Sequence, residues 1–199
     1  MNNYVNSQDV VDYLSDKAPN LAALNLIAAG VSARAEKYCG RVFYTAQYTE
    51  YRRGVGGAQI FTAQYPIQSV AQVRIGALNI GASPVDSSGL VSPDAQGFTW
   101  DEKSVILTGG LMFYAPSGGT GKNVILQYTA GYGTTPQELP QDLYFALVYE
   151  CAWRMKEITR LGLNTDFFGE RGVSYVQTQD WAPLAKGTLN RYRRVYYPQ

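Results

Sequence analysis

The spacing of apolar residues divides the chain into three stretches. Residues 1–40 follow a helical period. Asn6 and Ser7 can cap a short helix through Leu14, and Pro19 and Asn20 stop it and start another. From Leu21 the apolar positions Leu24, Ile27, Ala28, Val31, Ala35 and Tyr38 recur every three or four residues, one stripe of a helix that buries a single face. Gly40 falls where a left-handed cap is expected. Gly30, inside the helix, costs about 1 kcal/mol relative to alanine.

Between residues 41 and 133 the period drops towards two and glycine becomes frequent. Val42 to Arg53 is rich in Tyr, Thr and Phe. Further short runs are Gln59 to Thr62, Ser69 to Ile75, Gly97 to Trp100, Ser104 to Leu107, Leu111 to Tyr114 and Asn123 to Thr129. Gly, Pro, Asn or Ser bounds each, so this is an antiparallel β region of short strands. Residues 81–97, with Pro84, Gly89, Pro93 and Gly97, are expected to form a long loop or finger.

Residues 134–199 return to helix. Pro136 and Pro140 punctuate the start, and Leu143, Leu147, Cys151, Met155 and Ile158 mark a helix from about Pro140 to Leu161, stopped by Gly162. Asn164 to Gly172 is expected to be a loop, and Val173 to Thr178 alternates like a strand. Pro183 opens a last short helix with Leu184, Leu189 and Tyr192. The order helix, sheet, helix is an α+β pattern. The N- and C-terminal helices pack together, with an antiparallel β region inserted. The implied division is a helical body from 1–40 plus 134–199, ending in a docking tail, and a β unit from 41–133.

Composition narrows the chemistry. The 199 residues contain no His, which removes Ser-His-Asp and Cys-His catalysis and His-ligated metal sites. A net charge of +1 argues against a strongly basic nucleic-acid binder. No apolar run reaches the roughly 20 residues of a spanning helix, and the start has no basic region followed by an apolar core, so neither a membrane span nor a signal peptide is expected. Cys39 and Cys151 are expected to be buried fillers in a reducing compartment; a disulfide joining two helices is the other reading.

The candidate sites are few. Ser117-Gly-Gly-Thr-Gly-Lys122-Asn123 looks at first like a phosphate loop, but Pro116 replaces its first glycine, Asn123 its Ser/Thr, and a strand pattern follows where a helix is needed. A hairpin turn fits better. The carboxylates Glu36, Glu50, Glu102, Glu150, Glu157 and Glu170 are scattered, and Glu150 with Arg154 reads as a surface pair on a helix. No catalytic, cofactor or metal residue is assigned, and an enzyme is not expected.

Tyrosine is abundant, at 16 residues. It suits surfaces that are wet alone and buried in a complex, although a β unit also tolerates it on half-exposed faces. Residues 183–199 carry Lys186, Arg191, Arg193 and Arg194 and no acid, which leaves the rest of the chain at −3. This basic, aromatic end is read as a docking segment carried by Leu184, Lys186, Leu189, Arg191, Tyr192, Arg193, Arg194, Tyr196 and Tyr197. The other reading is a solvated helix end. As a docking segment it should be removable without unfolding the body.

Several segments, in order along the chain, resemble the adaptor family of tailed-phage head-to-tail connectors. They are Ile27-Ala-Ala-Gly-Val-Ser-Ala-Arg-Ala-Glu-Lys-Tyr-Cys-Gly-Arg41, Tyr65-Pro-Ile-Gln-Ser-Val70, Val124-Ile-Leu-Gln-Tyr-Thr-Ala-Gly-Tyr132, Leu139-Pro-Gln-Asp-Leu-Tyr-Phe-Ala146 and Leu189-Asn-Arg-Tyr-Arg-Arg194. Residues 81–121 and 163–181 depart from the pattern. The resemblance implies a structural virion protein, assembled in the host cytoplasm and placed in the virion neck. There it forms a homo-oligomeric ring of twelve subunits beneath the portal protein, extends the DNA channel used in genome ejection, and joins capsid to the next neck or tail protein. It also implies that the C-terminal segment docks on the portal and that genomic DNA passes without sequence-specific contact. The rivals are a carboxylate-based, tail-associated glycan hydrolase and a free-standing β-rich binding module.

Overall fold

A computed structural model describes residues 2–14, 20–84, 90–91, 94–115, 121–158, 165–168, 171–174 and 181–194. In chain order the elements are α1 (Ser7–Leu14), α2 (Leu21–Cys39), β1 (Ala46–Arg52), β2 (Gln59–Phe61), β3 (Ile67–Ile75), β4 (Leu78–Ile80), β5 (Gly97–Trp100), β6 (Ser104–Thr108), β7 (Val124–Ala130), α3 (Gln141–Ile158), β8 (Thr165–Phe168), β9 (Arg171–Ser174) and α4 (Pro183–Tyr192), with a 3-10 turn at Pro136–Glu138 before α3. This is an α+β fold with terminal helices and an inserted antiparallel β region. The chain forms two compact units, Met1–Gly40 with Thr135–Arg193 and Arg41–Thr134 with Arg194–Gln199.

In the helical unit the caps follow from the sequence. The Asn6 side chain accepts from the Gln8 N–H at 3.1 Å, and that of Asn20 from Ala22 N–H at 3.0 Å. At the other end of α2, Gly40 adopts φ 68° and returns its N–H to the Glu36 carbonyl at 2.8 Å. Each end of the helix thereby has part of its orphaned backbone groups satisfied.

Helix α3 is the hub, with α1, α2 and α4 all packed on it. Leu24, Ala28, Val31 and Ala35 from α2 are buried, as are Leu143, Ala146, Leu147 and Cys151 from α3 and Ala185 and Leu189 from α4. Leu189 is 0% exposed, so α4 closes this core. That corrects the expectation that residues 183–199 could be removed while the body stays folded.

Both cysteines are buried and neither is in a disulfide; the Cys39 thiol donates to the Leu189 carbonyl at 3.6 Å. Burial, and then the adjacent Glu150 carboxylate, push the Cys151 thiol up to about 12. It is an apolar filler rather than a nucleophile.

Glu150 also departs from expectation. It is 0% exposed and does not sit on the surface. Its Oε1 accepts from Arg154 Nε at 3.0 Å and its Oε2 from the Ala182 N–H at 2.8 Å, so it ties α3 to the start of α4. Residues 164–172, expected as loop, include most of an antiparallel pair in which Thr165 faces Ser174 and Phe168 faces Arg171. The expected strand from 173 to 178 is present through Ser174, and its remainder lies outside the described residues.

The β unit holds a four-stranded antiparallel sheet of order β1-β7-β3-β4 and a three-stranded one of order β2-β6-β5. Ile60, Val73, Ile75, Phe98, Val105, Leu107, Val124, Leu126 and Tyr128 from strands of both sheets form one core cluster with Phe113. Leu111 to Tyr114 is not a strand. Its backbone instead bonds the Gly56–Gly57 turn, with Gly56 N–H to Phe113 O and Phe113 N–H to Gly57 O, both at 2.8 Å. In the expected 81–97 finger, Ala82 bridges to Phe98, while 85–89 and 92–93 lie outside the described residues.

Two polar groups organise this unit. The Glu50 carboxylate accepts from the Tyr128 hydroxyl, from the Ala63 N–H at 2.7 Å and from Arg52 at 2.7 Å. Burial and the facing carboxylate raise the Tyr128 hydroxyl far above the usual tyrosine value, so it stays a donor. Arg41 is buried, and its guanidinium nitrogens have no hydrogen-bond partner. The faces of Tyr65 (3.6 Å), Tyr132 (5.1 Å) and Phe43 (5.4 Å) surround the cation instead.

Candidate functional site

The helical unit carries a cationic groove of about 630 Å³ between α2 and the α4 region. Arg34, Lys37 and Tyr38 line it from α2, and Trp181 and Lys186 from the other side. These α2 residues sit three and four apart, so the helix turns them to one face. Trp181 is nearly fully buried and forms the floor. Its ring lies 5.7 Å from that of Tyr38, and the Arg34 guanidinium sits 4.8 Å over it. Arg193 stacks on Tyr38 at 5.2 Å, and the Tyr38 hydroxyl donates to Asn190 Oδ1 at 2.6 Å. Arg34, Lys37 and Lys186 thus line the groove and Arg193 stacks on Tyr38 beside it, so that four cations gather around two aromatic rings, and no carboxylate is among the described lining residues. A surface of this kind attracts carboxylates or phosphates and suits stacked guanidinium groups.

The sequence-predicted docking residues take different places. Leu184 and Lys186 are exposed, and Leu189 is in the core. Arg191 pairs with Asp142 at 3.0 Å, and the Tyr192 hydroxyl also donates to Asp142. Arg193 joins the groove. Arg194 belongs to the β unit, where it lines an open cleft of about 420 Å³ with Tyr51, Arg52, Arg53 and Lys122. Glu50 is the one carboxylate among the described residues lining that cleft, and it is already engaged by Tyr128, Ala63 and Arg52. Tyr196 and Tyr197 lie outside the described residues.

The expected hairpin turn before Lys122 lies mostly outside the described residues, and its C-terminal flank is described. Asn123 accepts from the Gly54 N–H and donates to the Tyr114 carbonyl, both at 2.8 Å, and β7 follows directly. Asn123 is therefore a pin between loops at the head of a strand. Among the described residues no group of three His, Cys, Asp or Glu could hold a metal ion, and no helix is long and apolar enough to cross a membrane. The central tyrosines divide between the two readings. Tyr65 and Tyr128 are buried, whereas Tyr51 and Tyr114 are more than half exposed.

Sequence reasoning missed the groove. Arg34 and Lys37 lie on the polar side of the predicted helix and Trp181 some 150 positions away, so only the packed fold unites them. The one available signal was the excess of cations near the C-terminus.

Neither family models nor curated proteins match this sequence. Solved structures do. A chain of the neck of the empty gene transfer agent (GTA) particle, computed with C6 symmetry, is 19% identical with a TM-score of 0.55, over 98% of this chain and 92% of its own. A chain of the neck of the native GTA particle, computed with C12 symmetry, is 21% identical with a TM-score of 0.52, over 96% and 89%. A chain of the virion of the native GTA particle is 19% identical with a TM-score of 0.54, over 98% and 92%. Across nearly its whole length, this chain has the fold of chains found in the necks and virion of a gene transfer agent.

Proposed function

We propose that this chain is a structural protein of a virion neck, a head-to-tail adaptor that forms a ring beneath the portal, extends the DNA channel and joins capsid to tail. The observation that supports this best is the likeness in fold to GTA neck chains along almost the entire chain. The C6 and C12 symmetries of those necks favour a ring of twelve copies. Each copy then presents two different patches, because a heterologous contact repeated about an axis closes into a ring. The portal docks against the exposed C-terminal face carrying Leu184, and the next neck or tail protein binds elsewhere on the ring.

The test is negative-stain imaging of the protein mixed with purified portal rings. A second ring on the portal's lower face is the expected result. Portal rings that stay bare at saturating protein would sink the proposal.

The near-neutral charge suits a wall along which DNA slides, and the β-unit cleft is the assigned point of contact with its backbone. Arg53 and Lys122 are both exposed there. Substituting both with alanine should therefore flatten the salt dependence of weak duplex binding by about two phosphate contacts, equally for any sequence. An unchanged slope would remove the cleft from the DNA path.

A further inference from the structure

The helical unit carries a second unusual face. Tyr13 of α1 is 42% exposed and Phe145 of α3 48% exposed. Their rings meet edge-on at 5.8 Å, and Tyr13 meets Tyr149 in the same way at 6.3 Å. This is a knob of three aromatic rings at the surface, the kind of patch that marks a contact site. Its flank is acidic. Asp12 is exposed beside Tyr13, and Asp9, one turn away, takes the Tyr144 hydroxyl. No lysine or arginine lies in α1.

The knob and the groove are complementary. One offers aromatic rings with two carboxylates, the other four cations around two aromatic rings, with no carboxylate among its described lining residues. Lys37 and Lys186 are exposed in the groove. The two faces cannot meet within one chain. Phe145 and Tyr149 turn towards α1, whereas Asp142 and Glu150 of α3 turn towards α4, so α1 and α4 occupy separate flanks of the same helix.

We infer that the α2–α4 groove receives the α1–α3 aromatic knob of a second copy of this chain. The inference rests on the ring reading and supplies its contact. Two unlike patches fixed on one rigid helical unit make a heterologous interface that every copy both gives and receives. Asp9 and Asp12 then face Lys37 and Lys186 across the interface, and the Tyr13 ring comes against the stacked guanidinium groups.

The test uses two charge-reversed versions of the full chain. One is Lys37→Glu with Lys186→Glu, and the other is Asp12→Lys. Self-association is read by sedimentation velocity at low salt. Each variant alone should associate about tenfold more weakly than the wild type. An equimolar mixture should recover, because alternating copies match at every junction: the reversed groove meets the reversed knob, and the native groove meets the native knob. In the wild type, carbodiimide coupling of mixed light and heavy-isotope copies should join Lys37 or Lys186 of one copy to Asp9 or Asp12 of another.

Unimpaired single variants, a mixture that fails to recover, or the absence of those intercopy links would each overturn the inference. The ring reading stands or falls separately. Closed rings that persist in both single variants refute this interface and leave the ring intact. Recovery in the mixture without any closed ring, with or without portal, upholds the interface and refutes the ring.

Discussion

Substituting Gly131 with alanine is expected to destabilise the β unit by about 4 kcal/mol, from backbone strain of about 1–3 kcal/mol together with overpacking of about 1–3 kcal/mol. Gly131 adopts φ 132°, a conformation that side chains with a Cβ rarely enter. An added Cβ would lie 2.5 Å from the Thr45 Cα and N and from the Tyr44 carbonyl oxygen. All three are backbone atoms, so no rotamer change can clear the clash. The position is also a junction. Gly131 N–H donates to Pro66 O at 2.9 Å, its carbonyl accepts from Gln68 Nε2 at 2.8 Å, and Thr45 N–H donates to Gly133 O at 2.7 Å. The segments preceding β1 and β3 and following β7 all meet here. The loss is a large part of the roughly 5–15 kcal/mol that holds a domain together.

Gly110→Ala is the control. Gly110 also has positive φ, at 75°, but nothing lies within 4 Å of the added Cβ. Its cost is only the left-handed strain, about 1–2 kcal/mol. Urea denaturation and hydrogen exchange of the β7 amides should separate the two variants clearly. Equal midpoints and equal protection would show that the crowding at Gly131 carries no energy.

Gly131 also shows what the sequence could reveal. It stands in the Tyr-Thr-Ala-Gly-Tyr segment that resembled an adaptor strand end, and the structure supplies a physical reason for glycine there. Helix ends were legible because caps are local: Asn6, Asn20 and Gly40 each act within four residues of themselves. Strand β4 escaped because it follows β3 across only Gly76-Ala77 and is three residues long with a central Asn, and Leu111–Tyr114 misled because an apolar run does not distinguish a strand from a loop that buries Phe113. The groove was not legible, since ring stacking between α2 and Trp181 is set by tertiary packing. Glu150 could have been read better. It lies seven residues after Leu143 and three after Leu147, on the buried stripe, and an i,i+4 arginine partner says nothing about exposure.

That misplacement leads to the second large effect. Glu150→Ala is expected to cost the helical unit about 3 kcal/mol, the scale of breaking a buried, hydrogen-bonded charge. Two consequences follow inside the core. The Ala182 N–H, buried with its residue at 0% exposure, loses its acceptor. A cavity also opens where the carboxylate stood. Arg154 suffers less, because it is partly exposed and lies 3.6 Å from Glu157. The damage therefore concentrates at the start of α4, next to Trp181, and should reach the groove floor, where Arg34 and Tyr38 stack. Glu150→Gln keeps one acceptor oxygen, enough for the Ala182 N–H but not for Arg154 as well, and should fall between wild type and alanine. Thermal melts should rank wild type, glutamine, alanine, and tryptophan emission should shift to the red in the same order as water reaches Trp181. If both variants melt with the wild type, then Glu150 does not hold α4 to α3 and the groove does not depend on that tether.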